Sequence, residues 1–365
     1  MTIPRIIPQQ QNAPAELVAL SENDISDVAH FIASQSGQPR ETVERHLRWF
    51  LLQNPERRPQ HPLGFGLRSA DQLVGCILCS PQAFRFEDEK IVLMGSSSFY
   101  VDLPHRGHGG RIFLQYCRLA RQWPLFGTSA NPEAAALWKA AGASPIPGSE
   151  GELFGVLRWP PVVEEFAHRR NPNRWLSRLA ASSISNLVSL VRPLKIDRVA
   201  SDSLRMLTSA EQVNDLSLRA RSARLTAMRD LPYIRWRYFS GRDRTAAVFA
   251  FRDGRLDREI LVTVNQRTRG HRGQINTLNV LDVYPEVSPD DWLRIVGALI
   301  DHYAKTKIVD AIVLRGQDAA RQELFRARGF QQRTFDAPIG WFLDKAKLLP
   351  PCSWYPVPAD GDGLI

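Results

Sequence analysis

The chain has 365 residues, of which 44% are hydrophobic and 23% are charged. This length predicts two domains, and this hydrophobic content is enough for each of them to bury a core. The four cysteines predict no disulfide framework, which fits a reducing compartment. The formal net charge of +9 favours an anionic ligand or partner, such as a phosphate-bearing small molecule, an acidic protein, lipid head groups or nucleic acid.

Neither a membrane segment nor a leader is expected. The chain contains no run of about 20 apolar residues, the length that spans a bilayer. Residues 1–11 have no apolar core of the kind found in secretion signals. Cys76 and Cys79 have the spacing of a zinc-binding pair, but no second pair answers them, so we predict a buried strand and no metal site. We expect a cytoplasmic protein.

The first 101 residues alternate between apolar patterns of period two and of period 3.6, which predict strands and helices respectively. Ser21 and Asp24 supply capping chemistry for the first helix. The predicted elements are, in order, a strand over 15–20, a helix from about 24 to 35, a helix over 39–53, a hairpin over 65–81 and a strand over 91–101.

Residues 102–111 lie where this last strand gives way to a helix, which we expect from about Arg111. The segment contains three glycines, which let the backbone approach a ligand closely, and the amides and dipole at a helix N-terminus favour phosphate oxygens. Arg106 and Arg111 add positive charge. The segment lacks the Gly-Lys-Ser/Thr ending of a Walker loop and the Gly-x-Gly-x-x-Gly spacing of a dinucleotide fingerprint.

A second motif follows a short strand predicted over 125–129. It is a helix, 131–143, with Asn131, Ala134, Leu137, Trp138 and Gly142 at fixed spacing. With the strand 91–101 and the glycine-rich segment, this helix resembles the GCN5-related N-acetyltransferase (GNAT) superfamily. The order and spacing of both motifs match, and the resemblance extends over about 15–159, including a closing strand at 153–158.

The resemblance implies an α/β (α+β) fold in which a mixed, mostly antiparallel sheet is flanked by helices. It also implies acetyl-CoA or another acyl-CoA as co-substrate, with the pyrophosphate on the glycine-rich segment and the pantetheine arm beside the second motif. The cofactor-binding residues it implies are Phe99, Val101, Arg106, Gly107, His108, Gly109, Gly110, Arg111, Asn131, Ala134 and Trp138.

Candidate catalytic residues are Ser98, Tyr100 and His105, from the strand and the segment beside the expected thioester. His105 and His108 could titrate near neutral pH, but we expect both to face solvent or a phosphate. Two positions depart from the family pattern. Arg111 replaces a Gly or Ala, and Trp138 replaces the Tyr that often protonates the departing thiolate. An indole N–H is far too weak an acid for that role, so another group or solvent must supply the proton.

The character of the chain changes over 161–198, which we interpret as a linker. It carries a basic cluster and then a helix-like run, 174–191, with apolar residues at helical spacing on one face. Such a face either packs against a domain or lies on a membrane surface, so peripheral membrane contact through 174–191 stays open.

The second half repeats the first in outline. Strands are predicted over 204–208, 245–252, 256–265, 273–284 and 309–315, with a helix from about 209, a helical stretch ending at 239 and a helix over 289–305. Residues 318–330 copy the second motif, with Leu324, Phe325 and Gly329 where Leu137, Trp138 and Gly142 stand. Residues 280–291 replace the glycine-rich segment with acidic residues and prolines, which would repel a pyrophosphate.

The chain is therefore identified as a tandem member of the superfamily with a degenerate second copy. The predicted division is an N-terminal domain at 1–160, the linker at 161–198, a C-terminal GNAT-like domain at 199–346 and a tail at 347–365. Trp236-Arg-Tyr238 and Asp360-Gly-Asp362 resemble bacterial tandem members associated with envelope polysaccharides.

The expected function is acyl-CoA-dependent N-acyl transfer to a small amine or an amino sugar, and an acyl carrier protein stays open as a partner. One alternative is a non-catalytic acyl-CoA-binding or scaffold protein. Another is a nucleic-acid-binding protein that uses the arginines at 219, 221, 224, 235 and 237, although the chain has no recognised nucleic-acid module. We expect no nucleic-acid partner.

Overall fold

A computed structural model of the protein describes residues 14–170, 194–213, 224–240, 246–256, 258–270, 275–305, 308–316, 318–347 and 349. The predicted amphipathic run 174–191, the arginines at 219 and 221 and the acidic stretch at 360–362 lie outside the described residues. None of the helices in the described ranges is long and apolar enough to cross a bilayer.

The first half contains the predicted strands and helices in order, together with a short strand, Ser144–Pro145, and a helix, Trp159–Arg170, that were not predicted. They are β1 (Glu16–Ala19), α1 (Ile25–Ser36), α2 (Arg40–Leu47), β2 (Gly64–Ser69), β3 (Gln72–Phe86), β4 (Glu89–Val101), α3 (Gly109–Arg118), β5 (Leu125–Gly127), α4 (Pro132–Ala140), β6 (Ser144–Pro145), β7 (Gly151–Val156) and α5 (Trp159–Arg170). Two helix boundaries differ from the prediction. The helix expected over 39–53 is α2 followed by a π-helical turn, Arg48–Leu52, and the helix expected from Arg111 begins two residues earlier, at Gly109.

The second half repeats this arrangement. Its elements are β8 (Leu204–Leu207), β9 (Thr226–Ala227), α6 (Leu231–Ile234), β10 (Ala246–Phe251), β11 (Ile260–Arg269), β12 (Ile275–Tyr284), α7 (Pro289–Ala304), β13 (Ala311–Arg315), α8 (Ala319–Ala327), β14 (Gln331–Thr334) and β15 (Trp341–Leu343). The helix expected from 209 is a single 3-10 turn, Ala210–Gln212, in the described residues.

In both copies of the motif, a side chain caps the N-terminus of the helix in the same way. The Asn131 side chain accepts a hydrogen bond from Ala134 N at 2.8 Å, and the Asp318 side chain accepts one from Arg321 N at 3.0 Å. Each bond satisfies a backbone donor that the first turn of a helix leaves without an intrahelical partner. The helices α4 and α8 therefore begin at equivalent positions.

Two mixed sheets, mostly antiparallel, form the framework of the molecule, as predicted. The first has the order β1-β2-β3-β4-β5-β15-β6, with β9 added to β3, and the second has the order β14-β7-β13-β12-β11-β10-β8. The parallel pairs are β4 with β5 and β12 with β13. Helices cover both sheets, so the protein is of the α+β class.

Each sheet contains strands from the other half of the chain: the first sheet contains β9 and β15, and the second sheet contains β7. The strand β7 precedes the linker but pairs with β13 and β14, so that Glu152 lies opposite Arg315 and Arg333. In return, β15 inserts between β5 and β6 and places Trp341 opposite Gly127. The two sheets are therefore interlocked through the chain itself.

A pair of tryptophans joins the halves at equivalent positions. The rings of Trp49 and Trp236 stack with centroids 5.3 Å apart, and both belong to π-helical turns. Each indole N–H donates to the backbone carbonyl oxygen of the other residue, at 3.0 Å in both directions. Because the contact is the same in both directions, it relates the two halves by an internal two-fold symmetry. It is part of a core that contains residues of both halves.

The cysteines confirm the prediction of a buried strand. Cys76 and Cys79 lie on β3 and have no exposed surface, and Cys117 is buried in α3. Burial raises the pKa of the Cys76 thiol to about 12 and that of the Cys117 thiol to about 11, so both thiols are protonated at neutral pH.

Candidate functional site

The strands β4 and β5 separate after a short parallel contact. They pair only through Met94 with Leu125 and Gly95 with Phe126, and β4 then continues for six further residues while β5 ends. The Tyr116 hydroxyl of α3 donates to Met94 O at 2.8 Å and so secures the end of the contact. Beyond this point the separation leaves a gap between the two strands.

Glycines permit the close approach at the narrow end of the gap. A Cβ atom at Gly95 would lie 2.9 Å from Phe126 Cζ, and one at Gly127 would lie 2.8 Å from Ser96 Oγ and 3.1 Å from Trp138 Cζ2. Contacts this short require the neighbouring atoms to move. Both glycines are therefore needed for the packing of β4, β5 and α4 as they stand.

The backbone of β4 is irregular beside the gap. Its register against β3 shifts between Cys76, which lies opposite Tyr100, and Leu78, which lies opposite Ser97. Ser98, in the extra stretch, has a φ of 49°, an uncommon and costly conformation for a residue other than glycine. Strained backbone of this kind is concentrated at functional sites.

The irregular strand also directs one amide towards the gap. Asp102 N donates to Val74 O of β3 at 2.9 Å. Because successive amides of a strand point to opposite edges, the Val101 N–H points to the edge that faces the gap. Val101 is half-buried, so this amide lies at the boundary of the core.

The gap contains a cavity of about 450 Å³. Of the residues predicted from the sequence, the ones that line it are Ser98, Phe99, Tyr100, Asn131, Ala134 and Trp138. The remaining lining residues, which sequence reasoning missed, are Ile77, Ser96, Ser97, Phe113, Gly127, Ser129, Ala130, Arg267 and Arg315. The run of three serines in β4 could have predicted part of this lining, because it adjoins the predicted residues. The two arginines come from the second sheet, and no local sequence pattern predicts that they reach the cavity.

Trp138 forms one wall of the cavity. It is 2% exposed and makes edge-on ring contacts with Phe113 and Tyr116, at centroid distances of 5.3 and 5.8 Å. Its only polar group is an indole N–H, which donates hydrogen bonds but does not release a proton near neutral pH. The side-chain hydroxyls that line the cavity belong instead to Tyr100 and to serines such as Ser98.

The glycine-rich segment forms a 3-10 turn, Leu103–His108, that runs directly into α3. Gly109 N already donates to Arg106 O within this turn. A Cβ atom at Gly110 would meet no heavy atom within 4 Å, and one at Gly109 would lie 3.9 Å from Phe99 and Val101. The fold itself therefore tolerates a side chain at either position. Gly110 is half-buried and leaves its part of the start of α3 without a side chain, beside the exposed Arg106 and Arg111, whereas Gly109 is buried.

His105 differs from the expectation that it faces solvent. It is 7% exposed, and its Nδ1 makes no hydrogen bond with the residues that the structure describes. Its ring centroid lies 6.5 Å from that of His108, which is half-buried. His105 is in the turn next to β4 and is not among the described residues that line the cavity.

Arginines of the second sheet surround one buried carboxylate beside the cavity. Glu152 is 2% exposed and accepts hydrogen bonds from Arg269 Nη1 at 2.7 Å and Arg315 Nε at 2.9 Å, while Arg333 Nη1 lies at 3.5 Å. Burial acts to raise the pKa of Glu152, but the charges and hydrogen bonds of Arg269 and Arg315 outweigh it and hold this pKa below its ordinary value. Glu152 is therefore ionised and fixes the position of Arg315.

The corresponding place in the second half is filled by ion pairs. Arg224 contacts Glu286 at 3.2 Å and Asp318 at 3.0 Å, and Arg321 contacts Glu286 at 3.3 Å. Asp282, on β12 beyond its contact with β13, accepts hydrogen bonds from Arg229 and Tyr238. Asp318 and Arg321 stand in the copied motif where Asn131 and Ala134, which line the cavity, stand in the first half.

The described arginines that motivated a nucleic-acid alternative contact the protein itself. Arg224 has the two partners just given, and Arg235 pairs with Glu211 at 2.7 Å. Arg237 is 5% exposed and lies over the rings of Trp49 and Trp236. These three positions therefore offer no support for a nucleic-acid interface.

No protein-family model matches the sequence, and no curated protein matches it. Solved structures match at the level of fold. The chain is similar to a probable N-acyltransferase of unknown function from Enterococcus faecalis, with 10% identity and a TM-score of 0.55 over 91% of this chain and 73% of that one. It is also similar to a GCN5-related N-acetyltransferase from Anabaena variabilis, with 12% identity and a TM-score of 0.55 over 90% and 72%. A third similar structure is Saccharomyces cerevisiae N-myristoyltransferase with bound myristoyl-CoA, with 11% identity and a TM-score of 0.51 over 92% and 80%.

The protein has the GNAT fold, as the two sequence motifs predicted. It has this fold twice, in the two-sheet arrangement of N-myristoyltransferase. The molecule is thus an acyltransferase-like structure of the tandem GNAT type.

Proposed function

We propose that the protein is an acyl-CoA-dependent N-acyltransferase whose active site is the cavity between β4 and β5. The observation that carries the proposal is the gap itself. It has a strained backbone at Ser98, an outward amide at Val101 and an uncovered helix start at Gly110. The similarity to acyltransferases, one of them with bound myristoyl-CoA, supports the same donor class.

The residues of the cavity fit the parts of such a donor. The turn Leu103–His108 and the start of α3, with Arg106 and Arg111, would hold the phosphates. Phe113 and Trp138 would line the pantetheine arm. The cavity of about 450 Å³ has room for an acyl group longer than acetyl. Acetyl-CoA and a long-chain acyl-CoA are thus both candidates.

A bound acyl-CoA would supply the thioester carbon that the acceptor amine attacks. A nitrogen–carbon bond forms, the carbon–sulfur bond breaks, the amine loses a proton and the departing thiolate gains one. The Val101 N–H would donate to the carbonyl oxygen, an interaction commonly worth about 3 kcal/mol in the transition state. Tyr100, with Ser98 beside it, is the proposed proton donor to the thiolate, because Trp138 cannot fill that role.

The proposed acceptor is a small amine or an amino sugar, and envelope polysaccharide metabolism is one setting that would supply it. The three buried free thiols suit the cytoplasm as the site of action. A second candidate function is acyl-CoA binding without catalysis, in a scaffold or carrier role. Trp138 favours it, because it removes the usual acidic phenol from the cavity.

Calorimetric titration with acetyl-CoA and with a long-chain acyl-CoA tests the donor site. We expect one-site binding by the wild-type protein and a loss of at least about tenfold for Gly110→Val, because the new side chain projects over the start of α3. Gly254→Val is the matched control, since a Cβ there also meets no heavy atom within 4 Å and the position follows β10, away from the cavity lining.

Two results would contradict the donor site. If neither acyl-CoA binds, the proposed function is overturned. If the two valine variants bind acyl-CoA with equal affinity, the turn does not hold the phosphates. Release of free CoA in the presence of amines separates the two candidates. Binding without amine-dependent CoA release favours the non-catalytic role.

A further inference from the structure

Two arginines from the second half of the chain reach the cavity of the first half. Arg267 lies on β11 and Arg315 ends β13, and both line the cavity together with β4. The opposite wall is formed by Phe113 and Trp138 of α3 and α4. The cationic side of the cavity therefore belongs to a different sheet from the turn proposed to hold the phosphates of the donor.

Arg315 is fixed in place by a buried partner. Its Nε donates to Glu152 Oε2 at 2.9 Å, and Glu152 lies directly opposite it on β7. A guanidinium has five N–H donors in a rigid plane, so a bond through Nε fixes the orientation of the whole group. Because β7 comes from the first half of the chain, the strand exchange itself positions Arg315.

Positive charge exceeds negative charge in this group of side chains. Glu152 is shared by Arg269, Arg315 and Arg333, and Arg267 is two residues from Arg269 on the same face of β11. Burial and the positive charges of Arg315 and Arg269 lower the pKa of Arg267. Like charges that are close together and partly desolvated are relieved by an anion, and guanidinium groups bind carboxylate and phosphate oxygens in pairs.

We propose that the acceptor is an amine that also carries a carboxylate or phosphate group, and that Arg267 and Arg315 bind this anionic group. The inference rests on the proposed function, because it concerns the acceptor side of the same cavity. The anion would orient the acceptor with its amine towards β4, where Val101 and Tyr100 lie. Polycationic amines would be repelled from the same place.

Matched pairs of amines test the proposal. The probes are glycine with glycinamide, 2-aminoethyl phosphate with ethanolamine, and glucosamine 6-phosphate with glucosamine. Each is titrated calorimetrically into wild-type protein saturated with CoA. We expect the anionic member of at least one pair to bind about tenfold or more tightly than its neutral partner, the scale of a charge-assisted contact. The pair with the larger ratio of affinities, anionic member over neutral member, shows whether the site prefers a carboxylate or a phosphate.

Three variants assign the effect to the arginines. Arg267→Gln and Arg315→Gln should each abolish most of the preference for the anionic member while CoA binding stays within about twofold, since the donor site is on the other wall. Arg205→Gln is the control. Arg205 lies on β8 of the same sheet and pairs with Glu259 at 3.0 Å. This variant should keep the preference.

Each outcome separates the two proposals. Normal CoA binding with equal or no affinity for all members of the pairs overturns the anionic acceptor and leaves the donor site standing. A preference that persists in both glutamine variants also overturns it, because the anion would then bind elsewhere. Absence of CoA binding by the wild-type protein is instead the failure of the proposed function.

Discussion

At the residue scale, the cavity is defined as much by Trp138 as by the strand opposite it. Trp138 packs against Phe113 and Tyr116, so its position is fixed by the core. A tyrosine there would offer a phenol to the leaving group, but an indole does not. Under the proposed function the proton comes from another group or from solvent, and Tyr100 of β4, which is 36% exposed and lines the cavity, is the proposed donor.

Substitution of Tyr100 by phenylalanine should therefore slow acyl transfer without weakening donor binding. The ring and its packing are kept and only the hydroxyl is lost. A positioned general acid typically contributes about 10²–10⁴-fold to the rate, so we expect kcat to fall by about a hundredfold or more. The measurement is the rate of CoA release with saturating acyl-CoA and acceptor, together with calorimetric affinity for CoA.

His105→Gln provides the comparison, because His105 is the other titratable candidate near β4 but is not among the described residues that line the cavity. Its substitution should leave kcat within about tenfold of the wild-type value. A large loss of kcat in His105→Gln with a normal rate in Tyr100→Phe would reverse the assignment.

At the element scale, the two π-helical turns at Trp49 and Trp236 form the contact by which the halves recognise each other. Each turn gives up regular helical hydrogen bonding, and each tryptophan uses its N–H on the partner's backbone. The rings stack over each other, and both bonds are partly buried. A contact of this geometry couples the two positions energetically.

Trp236→Phe should lower the free energy of unfolding by about 1–3 kcal/mol, because it removes the indole donor from the Trp49 carbonyl oxygen. Trp49→Phe should lower it by about 0.5–1.5 kcal/mol, because the Trp236 carbonyl oxygen keeps a hydrogen bond from Ser240 Oγ at 2.7 Å. The double variant should show a coupling energy of at least about 0.5 kcal/mol. Denaturant unfolding followed by circular dichroism measures all three. Trp341→Phe is the control, since its N–H donates to Pro338 O within the same half and should show no coupling to Trp49. Additive losses at Trp49 and Trp236 would contradict the coupling.

Local signals predicted the elements but not the pairing of every strand. The spacing of the motif residues marked both copies of the motif, and contiguous motifs placed Ser98, Tyr100 and Trp138 at one cavity. The apolar pattern of Gly151–Val156 predicts a strand, but it does not indicate which of the two sheets this strand joins. Tertiary packing decides that this strand pairs with β13. The pairing in turn determines the position of Arg315.

At the scale of the whole molecule, the two halves share a fold but have different interiors. The first copy keeps an open gap between its parallel strands, whereas the second fills the equivalent place with the ion pairs of Arg224, Glu286, Asp318 and Arg321. The exchange of β7 and β15 then brings the cationic face of the second sheet to the gap of the first. In this arrangement the second half of the chain supplies one wall of the cavity.

The strand exchange predicts that neither half folds alone. A fragment of residues 1–198 keeps β7 without its partners β13 and β14, and it lacks β15, which leaves the facing edges of β5 and β6 unpaired. We expect this fragment and 199–365 to aggregate or to show no cooperative thermal transition when each is expressed separately. Co-expressed, they should purify together as a one-to-one complex. The full chain cleaved after folding, at a protease site inserted within 171–193, should likewise remain associated during size-exclusion chromatography. A monomeric 1–198 fragment that unfolds cooperatively would show that the exchanged strand is dispensable, and the first copy would then have to be regarded as an independent domain.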